Sequence, residues 1–168
     1  MSLSMHQISV PIFVRQLNAL AALLTKGEAF AQDKGLAPAA LIDARLAPDM
    51  LPLARQIQIA SDAAKGACAR LADVENPAFA DTETSFAELQ DRIARTIAFV
   101  ESVAADRFEG SETRVVTMKT RDATLEFTGQ IFLLHVALPN FFFHISTAYA
   151  ILRHNGVPIG KLDYLGGL

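Results

Sequence analysis

A chain of 168 residues, 51% apolar and 20% charged, is long enough for one domain with a sizeable core and too apolar for global disorder. A net charge of −3, a pI near 5.8 and no local basic run leave no electrostatic footprint for nucleic acid. The single cysteine, Cys68, excludes an internal disulfide, and polar residues interrupt every apolar run before 18 residues, so no membrane span is expected. The opening MSLSMHQIS lacks a basic region followed by an apolar one, so no signal peptide is expected and the cytoplasm is the expected compartment.

Residues 4–33 read as the first helix. Ser4 to Gln7 has the form of a capping box, while Ser9 with Pro11 just beyond makes a competing start. Leu17, Leu20, Leu24, then Gly27 or Glu28, and Ala31 repeat at three and four residues, which is one buried stripe. Gly35 ends the helix, and a connection over 36–47 has room for a short helical turn at 38–42.

The second helix is expected from Pro48 to Ala72, since Pro48 and Pro52 are tolerable only in a first turn. Asp49 there would be a favourable charge near the helix N-terminus. Leu53, Ile57, Ala60, Ala64, Ala67 or Cys68, and Leu71 point to a core, and the alanines imply close helix approach. Cys68 within that stripe reads as a buried, inert thiol. A loop over 73–84, marked by Asn76-Pro77, leads to Ser85, which forms a capping box with Glu88. The third helix then lines Phe86, Leu89, Ile93, Ile97, Val100 and Ala104 inward and turns Glu88, Asp91, Arg92 and Arg95 toward water. Alternation over 114–127, with Val116, Met118, Leu125 and Phe127 about Arg121-Asp122, predicts a β-hairpin.

From Gln130 to His154 no polar face develops, which suits the most buried helix of a bundle. Arg153 and His154 complement the dipole at its end, and Asn155-Gly156 followed by Pro158 stops it. Pro139 should kink it. Asn140 and His144 stack on one face, whereas His135 is about half a turn out of phase with His144 at ~100° per residue. Phe141, Phe142 and Phe143 cover nearly every side, so at least one ring faces outward or packs on the tail or a second copy. Val157, Ile159, Leu162, Tyr164 and Leu165 give the tail enough apolar surface to pack on the bundle. Tyr149, Asp163 and Tyr164 either line a pocket or dock that tail. The sum is an all-α four-helix bundle over 1–168, with a small hairpin between helices three and four and any site between facing helices.

The block Pro139 to Gly167, with Leu46 to Asp62 and the FAELQDRIART segment, resembles a bacterial family of unknown function in the DinB/YfiT-like superfamily of metal-dependent four-helix bundles. The resemblance implies an up-down-down-up topology and a nickel or zinc ion held by one histidine of helix two and two of helix four. His144, Arg153 and Gly156 match the spacing of the last ligand, but the other two ligand positions fall on Asn140 and Gln56. Two amides and one imidazole are a poor donor set, so no cofactor is expected, with nickel or zinc on His144, Asn140 and Gln56 as the alternative.

No Ser-His-Asp, Cys-His, HExxH, Walker or dinucleotide pattern is present, so no catalytic residue is assigned. Three readings remain open. The first is a metal-free domain that binds a small molecule or another chain, with Gln56, Asn140, His144 and Tyr149 as candidate pocket residues. The second is a metal-dependent transferase-type enzyme using His144, with Asp49 or water completing the shell. The third is a homodimeric interaction module.

Overall fold

The computed structural model describes residues 3–119 and 122–167. Both candidate starts of the first helix are used. Ser4 N–H donates to Gln7 Oε1 (2.9 Å) and Gln7 N–H to Ser4 Oγ (3.2 Å), closing one turn, and α1 (Val10–Asp33) then begins after Ser9 with Pro11 in its first turn. A short α2 (Ala39–Ile42) follows. The second long helix, α3, runs from Leu53 to Ala72, five residues shorter than expected. Pro52 is its N-cap and Pro48 lies in the preceding turn, so Asp49 is exposed and outside the helix. The helix α4 (Phe86–Ser102) opens with the full Ser85–Glu88 capping box. A 3-10 turn (Ala105–Phe108) then leads to the hairpin β1 (Val115–Lys119) and β2 (Thr124–Thr128). Val116 pairs with Phe127 and Met118 with Leu125, which puts the four expected residues on one face; Arg121 of the expected turn lies outside the described residues.

Side-chain pairs between helices give the topology. Gln90 reaches Ala21 and Thr25 while Phe86 lies over Gly27, so α1 and α4 are antiparallel. Gln58 meets Glu83, Ser61 meets Thr96, and Asp73 meets Arg107, so α3 and α4 run the same way. Gln56 meets His144 and Arg70 meets Phe132, so the last helix runs against α3. The order is up-down-down-up around one core. Cys68 sits fully buried in that core, and burial pushes its thiol up to about 12.

Two parallel neighbours need a long return. A 20-residue helix such as α3 is ~30 Å long, and residues 73–85 can climb it only because an extended chain covers ~3.3 Å per residue. What ties this crossover down corrects an expectation. Arg92 does not face water: it is 1% exposed, and donates to Ala80 O (3.1 Å) and Glu83 Oε1 (2.9 Å) from Nη1 and to Asp62 Oδ1 (3.0 Å) from Nη2. Asp81 Oδ1 is 3.1 Å from Nη1, and Phe79 of the crossover packs its ring against Lys65, Arg92 and Arg95. Lys65 joins at Asp62 and Arg55 at Asp81, so three cations face three carboxylates.

The last helix is continuous over Gly129–His154. It comprises α5 (Gly129–Ile131), a π turn (Phe132–Ala137) and α6 (Leu138–His154). Gly129 is needed where it stands, because a Cβ there would lie 1.9 Å from the Ser111 carbonyl oxygen. Pro139 has no N–H for the His135 carbonyl, and the break expected there takes the form of the π turn just upstream. Contrary to expectation this is not the most buried helix; only 39% of its most apolar 18-residue window is buried. That window, with mean hydropathy 1.5, is apolar enough to cross a membrane by length and composition, yet Phe141, Ile145, Ala148, Ile151 and Leu152 of the same helix fill the bundle core.

The tail packs as expected through Val157 and Ile159, while Leu162 is 65% exposed. Its short helix α7 (Lys161–Tyr164) docks on α1, where Lys26 pairs with Asp163 (2.5 Å) and Gln16 Nε2 donates to Tyr164 O (2.8 Å).

Two outcomes follow from the ion cluster. Arg92→Ala leaves its carboxylates without their shared cation and should cost ~3 kcal/mol, the low end for a broken buried pair because Asp62 and Asp81 keep solvent access. Urea unfolding measures this; a loss within ~0.5 kcal/mol means the crossover is held by other contacts. Burial alone would raise the carboxyls of Asp81 and Glu83, but hydrogen bonds and charges from Arg55 and Arg92 at Asp81, and from Arg92 and Gln58 at Glu83, outweigh it and hold both below their ordinary values. The unfolded chain therefore binds protons first as pH falls. Their contribution is complete above the ordinary carboxylate range, ~4 to 4.5, and drains away as pH drops through the lower folded values.

Candidate functional site

Gln56 stands in the first turn of α3 and is buried against the last helix. Its Nε2 donates to Leu51 O (2.8 Å), which fixes the amide and leaves Oε1 facing His144 Nδ1 at 2.7 Å. A carbonyl oxygen can only accept, so Nδ1 carries the imidazole proton and Nε2 keeps a lone pair. No described residue hydrogen-bonds Nε2. The Phe143 ring stands edge-on to the imidazole at 5.2 Å and is itself 56% exposed. Of the phenylalanine triplet, then, Phe143 is the ring that faces outward, beside His144, while Phe141 packs edge-on against Phe13. Burial lowers the His144 pKa below the ordinary imidazole value, keeping it neutral.

Two of the four candidate residues do not join this pair. Asn140 is exposed. It lies one turn before His144, but at ~100° per residue it is ~100° from Phe141, the buried centre of the helix, while His144 is only ~60° away. The expected cluster of three polar side chains is therefore a pair. Tyr149 is ~140° around the helix from His144 and belongs to the tail. Its ring meets Tyr164 at 5.8 Å, and Ser146 Oγ lies 3.0 Å from Tyr164 Oη. His135 is exposed on the π turn, apart from the pair.

One turn beyond the pair, between α3 and the π turn, a groove of about 200 Å³ is bounded by Asp62, Arg70, Met118, Phe132, Val136 and Asn140 among others. Asp62 and Arg70 were not legible as site residues, since each falls on the flank of an ordinary amphipathic helix.

The donor set does not fit zinc or nickel. Among the described residues no three His, Cys, Asp or Glu side chains are grouped so as to hold a metal ion. Gln56 is committed through both amide atoms, and Asn140 points away from the pair's buried interior. His144 Nε2 alone remains as a good ligand atom.

An up-down-down-up bundle whose candidate site lies between its second and fourth long helices defines a DinB-like protein. The crystal structure of a DinB family member from Shewanella denitrificans superposes with a TM-score of 0.92 at 40% identity, covering 97% of this chain and 92% of that one. A family model described as a domain of unknown function, DUF1993, matches residues 5–165, and the chain belongs to that family. No curated protein matches it.

Gln56→Leu removes the acceptor of a buried imidazole N–H and should cost ~1–3 kcal/mol. In the native protein, nitrogen NMR should find His144 protonated at Nδ1 and titrating below the ordinary value of ~6.5. Because the folded pKa is the lower one, His144 contributes fully above ~6.5 and its contribution is lost as pH falls through the folded value. An Nε2–H tautomer would overturn the assignment.

Proposed function

We propose that this DUF1993 protein is a binding domain that takes a small molecule in the cleft between α3 and the last helix, without zinc or nickel. The observation that carries this reading is the Gln56–His144 hydrogen bond, which uses the positions of two ligands for a structural pair. The adjoining groove has the apolar walls and few polar groups of a ligand site. Protein purified without a metal-affinity tag is expected to carry no stoichiometric zinc or nickel. The double variant Gln56→His with Asn140→His, which supplies two more imidazoles, is expected to bind one of these ions. Stoichiometric metal on native His144, or a folded double variant that binds none, overturns the reading.

A second reading, a homodimer, is favoured by a separate observation. Ile131, Leu134 and Phe143 are exposed, and no Asp, Glu, Lys or Arg occurs from Gly129 to Leu152 to oppose a second copy. Sedimentation equilibrium should show a dimer that Leu134→Glu dissociates. A monomer at all concentrations removes this reading.

A further inference from the structure

We propose that the groove between α3 and the π turn binds a small carboxylate with an apolar body, its head held by the guanidinium of Arg70. This rests on the cleft reading above and names its ligand class.

Arg70 is folded back along its own helix. Its Nη1 donates to Gly66 O at 2.8 Å, and its Cζ lies 6.0 Å from the centroid of the Phe132 ring. Gly66 is what permits this placement, because a Cβ there would lie 2.6 Å from Nη1. The guanidinium thus lies in the groove wall one turn from Asp62. Among the described residues Arg70, like Arg15, Arg45, Arg107, Arg114 and Arg153, has no ion pair, and of these it is the one that lines this groove.

The acid on the groove wall does not neutralise it. Asp62 Oδ1 is taken by both Arg92 Nη2 and Lys65 Nζ, each at 3.0 Å, so its charge is already matched. The uncompensated charge of the groove is the cation of Arg70. A guanidinium prefers a carboxylate, which can accept two parallel N–H donors. Phe132, Val136 and Met118 give the rest of the ligand an apolar bed. The volume of about 200 Å³ lies below the ~300–1,000 Å³ of drug-sized sites, so the ligand is small.

The test titrates the full-length, nitrogen-labelled chain with isocaproate and with isocaproamide, which has the same shape and no charge. Isocaproate should give saturable amide shifts at Phe132, Val136 and Asn140, and isocaproamide should bind roughly tenfold more weakly. Arg70→Gln should abolish the difference between the two. Gly66→Ala keeps every charge but displaces the guanidinium, and should weaken isocaproate in the same direction. Equal binding of acid and amide, or isocaproate binding unchanged in Arg70→Gln, overturns the carboxylate assignment and leaves the cleft reading standing. Isocaproate shifts confined to the separate cleft between α1 and the tail, lined by Arg15, Lys26 and Asp163, also overturn it. No saturable shift at the groove with either compound overturns both.

Discussion

The buried guanidinium of Arg92 is the constraint on which the arrangement of this bundle depends. Placing the second and third long helices side by side and parallel obliges the chain to travel the full length of the bundle between them. Such a strand of loop has no regular hydrogen-bond ladder to hold it. Arg92 supplies one fixed point inside the groove, donating to Ala80 and Glu83 of the crossover and to Asp62 of α3 and pairing with Asp81. Its burial would be costly without those partners, so the cation is tolerable only when the crossover is in place. Position of loop and position of helix are thereby made mutually dependent. The same Asp62 that anchors Arg92 also forms part of the wall of the groove, so the crossover and the candidate site share one carboxylate.

Most of the fold was legible because it rests on local chemistry. Ser85 with Glu88 announces a helix start, Gly156 and Pro158 a helix end, and the spacing of Leu53, Ile57, Ala60 and Ala64 a core face. For Arg92, residue type and helical phase point in opposite directions, and phase prevails. It lies ~60° from Leu89 and ~40° from Thr96 around the helix, which places it inward, and only the long-range acids of the crossover make that burial acceptable. The start of α3 falls later than its prolines suggest, because proline is compatible with a first turn and equally with the turn before it.

The site was half legible. Gln56 and His144 meet across 88 residues of sequence, which the family resemblance indicated and periodicity alone could not. Asn140 shares a stripe with His144 but sits at its solvent edge, and four-residue spacing carries no information about where a face ends. Arg70 gave no signal, because its placement depends on a missing side chain at Gly66 and an aromatic ring on another helix.

The identities of Gln56 and Asn140 have a consequence in the genetic code. A glutamine codon becomes a histidine codon by a change in its third base, and an asparagine codon does so by a change in its first. The three-histidine set that the resemblance implies and the residues present here are therefore neighbours in mutational space, and the exposure of Asn140 lets a change there leave the core untouched. On the metal-free reading proposed above, the route from this chain to a three-histidine set is two single-base changes long.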